Sequence, residues 1–140
     1  ADHPVQFLIG SGDVTIYLER TPGGDGVFLN GYVGSSRVRV EVEPRRWHRL
    51  FLHTDVIDGR NVIKLAVASW NPVAGRFSSA DESCPGCAVK CSSSTWTGDF
   101  DANSDFWIGS HVDGLFPFTG QIDDVNIGNF VFRPAVPKCP

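Results

Sequence analysis

Three groups of side chains in this sequence have the types and spacing to do chemistry: an acidic run, a band of arginines and a knot of cysteines. Asp99, Asp101, Asn103 and Asp105 set oxygen donors at alternate positions, the spacing of loops that wrap a hard cation such as calcium. The EF-hand pattern itself fails, because its sixth position is Ser104 and its twelfth Ser110, where Gly and Glu are needed. A solvated acidic turn held by Asx hydrogen bonds suits the same residues. Arg37, Arg39, Arg45, Arg46 and Arg49 fall within thirteen residues, and guanidinium forks match the sulfates and carboxylates of an anionic glycan. Glu41 and Glu43 continue that face, so cross-strand ion pairing is the plainer alternative.

Cys84, Cys87 and Cys91 crowd together and Cys139 lies near the last residue. An even set of this kind predicts two disulfides and an oxidising, extracellular compartment, with Cys139 joined to one member of the 84–91 cluster. Zinc held by the three clustered thiolates and Cys139 or His111 is the rival, although compact zinc sites show two separated pairs. Tyr17, Tyr32, Trp70, Trp96 and Trp107 offer platforms for a neutral sugar. Trp107 alternates within an apolar run and is expected in the core, while Trp70 and Trp96 sit where an exposed ring would tell more.

The elements that must position these groups are strands. Val14, Ile16 and Leu18 alternate with polar neighbours, and Arg37 to Glu43 sets three valines on one face and four charges on the other. Leu50 and Leu52 continue the pattern, and Ile63, Leu65 and Val67 form the next strand. Phe106 to Ile108, Gln121 to Ile127 and Phe130 to Phe132 are predicted as later ones. Turn chemistry separates them at Pro22 to Gly26, Asn30-Gly31, Asp58-Gly59, Asn71-Pro72, Asp113-Gly114 and Gly128-Asn129. The expectation is a single all-β domain over residues 1–140, an antiparallel β-sandwich, with a cysteine-rich loop at about 78–105.

Composition bounds the rest. A net charge of −4 and a pI near 5.4 argue against nucleic acid as a partner. No apolar run approaches the roughly 20 residues that span a bilayer. The sequence contains no Met and starts at Ala1 without a signal-peptide core, which suggests a mature or excised piece of a secreted or cell-surface protein.

Trp47-His48-Arg49-Leu50-Phe51-Leu52-His53-Thr54-Asp55, followed in order by Phe106 to Ser110 and Phe118-Thr119-Gly120-Gln121-Ile122-Asp123-Asp124-Val125, resembles laminin-G-like domains of the concanavalin-A-like group. The resemblance implies a jelly-roll sandwich in which Trp47, Asp55, Gly109, Gly120, Asp123 and Asp124 are structural. It also implies an adhesion or matrix module that binds a glycan or an extracellular protein, in some relatives with calcium on the sandwich rim. Relatives begin with one or two strands ahead of this segment, so N-terminal strands are expected to be missing, supplied by a partner or dispensed with. The Glu-x-Asp-x-x-Glu signature of related glucanases is absent, since the glutamates are Glu19, Glu41, Glu43 and Glu82. The expectation is therefore a binding module and not an enzyme, with a structural assembly module and a glycan-active remnant as alternatives.

Overall fold

Alternation forms a sandwich when two sheets turn their apolar sides to each other, and that is what this chain does. The computed structural model describes residues 5–21, 23, 26–79, 89–96, 105–111, 114–123, 125 and 139. Four strands in sequence, β1 (Val5–Gly10), β2 (Val14–Arg20), β3 (Val27–Val33) and β4 (Ser36–Val42), make an antiparallel meander. β9 (Trp107–Ile108) pairs with the outer side of β1, giving the order β4-β3-β2-β1-β9. In the second sheet β6 (Arg60–Asn71) is central, between β5 (His48–Ile57) on one side and β7 (Arg76–Phe77) and β8 (Lys90–Thr95) on the other. This is the antiparallel all-β sandwich that the sequence predicts.

The core lies between the sheets. Ile16, Leu29, Val33, Val38, Val40 and Val42 from the first sheet meet Ile63, Leu65 and Val67 from the second. Each is an alternate residue of its strand, so the opposite parity faces outward. A bulge in β1 preserves that rule. The pairing jumps from Phe7↔Tyr17 to Ile9↔Ile16, and the extra residue, Leu8, lets Phe7 face outward while Ile9 packs on the core.

The turns follow their residues. Ile57 pairs with Arg60 across Asp58-Gly59, both at positive φ (52° and 74°), the left-handed pair that a two-residue hairpin requires. Asn71 caps its own turn, its Oδ1 accepting from the backbone N–H of Val73 at 3.0 Å and of Ala74 at 3.2 Å.

Three expectations need correction. Asn30-Gly31 is not a turn but the middle of β3. A Cβ on Gly31 would stand 3.2 Å from both Leu52 Cδ1 and Val38 Cγ2, so the glycine serves close packing between the sheets. The hairpin is made instead at Gly34-Ser35, where Val33 pairs with Ser36. The stretch expected to be loop contains strand β8, whose Ser92 and Ser94 oppose Leu65 and Ile63. Finally, Gln121, Ile122, Asp123 and Val125 are not in a strand; the predicted strand at Phe130 to Phe132 lies outside the described residues.

β8 has a second role. Its Ser92 Oγ accepts from the Arg39 backbone N–H at 3.2 Å, and Lys90 Nζ donates to the Glu41 carbonyl at 2.9 Å. One side of the sandwich, between β4 and β8, is thus held by side chains and not by a ladder. Cys91, on the outward parity of β8, is bonded to Cys139.

Candidate ligand-binding site

The outward parity of the first sheet carries an uncommon set of residues. Register lays them in rows: Phe7, Tyr17, Asn30 and Arg39 in one, Glu19, Phe28 and Glu41 on one side of it, and Thr15, Tyr32 and Arg37 on the other. Opposed residues of an antiparallel pair share a face, so all of these project to one side. Rings run along it. Phe7 lies 5.8 Å from Phe116, 4.5 Å from the His111 ring and 5.0 Å from Tyr17, and Tyr17 stacks on Tyr32 at 6.0 Å with 11° between planes. Burial, the neighbouring Tyr32 hydroxyl and the Glu19 carboxylate push the Tyr17 phenol up to about 12, so it stays a neutral hydroxyl donor near neutral pH.

Arg39 crosses this face. Its guanidinium carbon sits 3.9 Å from the centroid of the Phe28 ring, and Nη2 reaches Glu19 Oε1 at 3.1 Å. Arg37, one row away, is exposed and has no ion-pair partner among the described residues. Asn30 occupies the centre, flanked by Tyr17 and Arg39 across the strands. It is 0% exposed, yet neither Nδ2 nor Oδ1 has a hydrogen-bond partner, and Arg39 Nε is likewise buried without one. Buried amides are nearly always bonded; here Asn30 leaves a donor and an acceptor unmet and Arg39 Nε a donor, while His53 Nδ1 and Trp96 Nε1 are buried and unbonded elsewhere.

The five arginines expected to form one patch are not placed together. Arg37 and Arg39 lie on the outer face of the first sheet. Arg45, at φ 62°, and Arg46, 3.8 Å from Glu43, belong to the connection into β5. Arg49 is on the outer face of the other sheet, its guanidinium 4.3 Å from the centre of the Phe77 ring. Spacing along the chain suggested one patch, but the β4–β5 crossover divides it between opposite faces.

Of the expected calcium ligands, Asp99, Asp101 and Asn103 lie outside the described residues and Asp105 is exposed. Among the described residues no group of three His, Cys, Asp or Glu side chains is placed to hold a metal ion. Cys91 and Cys139 form a disulfide with 5.8 Å between their Cα atoms, the kind of pairing expected for Cys139; Cys84 and Cys87 lie outside the described residues. No helix among the described residues is long and apolar enough to cross a membrane.

The residues expected to be structural divide in the same way. Gly109 has φ 84°, and a Cβ on Gly120 would fall 2.4 Å from Phe118 Cζ. Trp47 is 48% exposed, and its carbonyl accepts from the Trp70 N–H at 2.8 Å. Asp55 accepts from the Val56 N–H at 2.8 Å, Asp123 is exposed, and Asp124 lies outside the described residues. Among the aromatic candidates for a sugar platform, Trp96 packs on the core and Trp70 meets Phe77 edge-on. Tyr17 and Tyr32 are the two that share a face with free polar groups.

A groove of about 610 Å³ lies beside the β5–β6 hairpin, lined by Ile57, Asp58, Arg60, Val62, Ser93 and Thr95 among others. It contains no aromatic ring, and its two charges are of opposite sign. His48 is also fully engaged: Nε2 meets the Glu43 carbonyl at 2.7 Å and Nδ1 meets Ser69 Oγ at 3.0 Å. A carbonyl only accepts, so Nε2 carries the proton and Nδ1 receives the Ser69 hydroxyl. Burial, with Arg46 and Lys90 nearby, lowers its pKa.

No family profile matches the chain, and neither the search of curated proteins nor that of solved structures finds a relative.

Proposed function

We propose that this chain is a non-catalytic, extracellular recognition module that binds a glycan on the outer face of its five-stranded sheet. The observation that carries the reading is the half-buried row Phe7–Tyr17–Tyr32 set beside the exposed Arg37. Rings with a polar tip offer a flat apolar surface to the C–H face of a pyranose and a hydroxyl to its rim. The Cys91–Cys139 disulfide supports an oxidising compartment, and the adhesion setting is carried over from the laminin-G-like resemblance of residues 47–55 and 118–125. A glycan array probed with the whole chain tests this. Retention that is lost in Tyr17→Ala and Tyr32→Ala but kept in Arg45→Ala supports the face; equal loss in all three, or a blank array, counts against it.

A structural assembly role is the second reading, favoured by the apolar tip of the β5–β6 hairpin, where Val56 is 65% and Ile57 38% exposed. Dimers at micromolar concentration that dissociate in Val56→Asp would support it.

A further inference from the structure

We infer that the site selects acidic sugars: a uronate carboxylate takes the place of Glu19 on Arg39 and draws the guanidinium off Phe28, uncovering the amide of Asn30. This deepens the glycan reading and rests on it. Three independent features converge at adjacent register positions. Arg37 is an exposed cation with no ion-pair partner among the described residues. Arg39 is held to Glu19 by a single 3.1 Å contact, while its Nε is buried and unbonded. Asn30 is wholly buried with both amide atoms unbonded.

The exchange is close to balanced at its first step, because one carboxylate replaces another on the same guanidinium. The Arg39–Glu19 pair is about a third exposed at each end, and such pairs contribute little to stability. What the ligand adds is on the other side of the exchange. Its carboxylate can engage the Arg39 fork through two parallel bonds, Arg37 supplies a second positive charge, and Asn30 Nδ2 gains an acceptor that the free protein withholds. A neutral sugar offers none of these and leaves the Arg39–Glu19 pair in place. The rings then act as the platform common to both, and the arginine row as the discriminator.

Calorimetric titration of the whole chain with hexagalacturonate and with its fully methyl-esterified form tests the inference, since the ester keeps the sugar rings and removes the charge. The acid is expected to bind at least about tenfold more tightly, the factor of one charge-assisted hydrogen-bond set. Glu19→Gln removes the competing carboxylate and is expected to raise the acid-to-ester preference by about threefold or more. Arg37→Gln is expected to lower it. Equal affinity for acid and ester overturns the acid selectivity while leaving glycan recognition standing. A fall in acid affinity in Glu19→Gln overturns the displacement. Binding of neither hexamer overturns the inference, and a blank glycan array then removes the recognition reading as well.

Discussion

Replacing Asn30 with valine should make this protein more stable. The side chain is 0% exposed in the middle of β3, and neither its Nδ2 nor its Oδ1 has a partner. An unbonded buried amide costs about 1–3 kcal/mol relative to its hydrated state. Valine removes that cost and favours the strand, while a modest misfit takes back part of the gain. A net rise of about 1–2 kcal/mol remains. At about 2.1 cal/mol/K per residue, a chain of this length has an unfolding entropy near 0.3 kcal/mol/K, so Tm rises by about 3–7 °C. Calorimetric melts of both proteins at pH 7.4 without reductant measure it. A Tm that is unchanged or lower, with native near-ultraviolet dichroism retained, would show that the amide is satisfied and would remove the reserve on which the uronate inference draws. The same substitution is expected to weaken hexagalacturonate binding. Opposite signs for stability and binding mark a residue kept for a ligand.

Other perturbations act on the frame. In Gly10→Ala the new Cβ would stand 2.8 Å from His111 Cα and 3.0 Å from the Ser110 carbonyl oxygen. Backbone cannot yield as a side chain does, so a loss of about 1–3 kcal/mol is expected in urea unfolding, and a neutral result would mean that the 109–111 segment does not press on β1. Removing the Cys91–Cys139 bond in the double alanine variant frees a loop with a sequence separation of 48, which the chain-entropy relation sets at about 4 kcal/mol; a Tm within two or three degrees of the parent would contradict it. Burial lowers the pKa of both His48 and His53. As pH falls below the ordinary histidine value of about 6.5, the unfolded chain takes up protons before the folded one, and stability declines with acidification until the folded histidines protonate as well. Urea midpoints at pH 7.5, 6.5 and 5.5 should therefore decrease in that order, with a shallower decrease in His48→Gln; a midpoint that rises toward pH 5.5 would refute the sign.

The frame was legible where apolar alternation is strong. Val38, Val40 and Val42 face inward as their spacing predicts, as do Ile63, Leu65 and Val67. β8 was not, because its inward positions are Ser92 and Ser94, which carry no hydrophobic period; Ser92 serves instead through a hydroxyl bond to β4. Asn30-Gly31 misled because Asn-Gly is the strongest short hairpin signal, whereas here the glycine answers a close approach between sheets. The candidate site was half visible. Tyr17, Tyr32, Arg37 and Arg39 each carry a signal in the sequence, but for separate chemistries. What joins them to Asn30 is strand register, Tyr17↔Asn30↔Arg39, and no spacing along one chain reports which residues of three strands stand side by side.

The Cys91–Cys139 bond also determines how the domain bears mechanical load. A pull applied to the chain at Cys139 is delivered through the covalent bridge to Cys91 in β8. There it meets an antiparallel ladder with β6 running from Val62↔Thr95 to Val67↔Lys90, anchored on a strand whose Ile63, Leu65, Ala66 and Val67 are almost wholly buried. Cys91 adjoins Ser92, which holds the Arg39 backbone. Tension entering at Cys139 thus reaches the molecule one residue from the seam under Arg39.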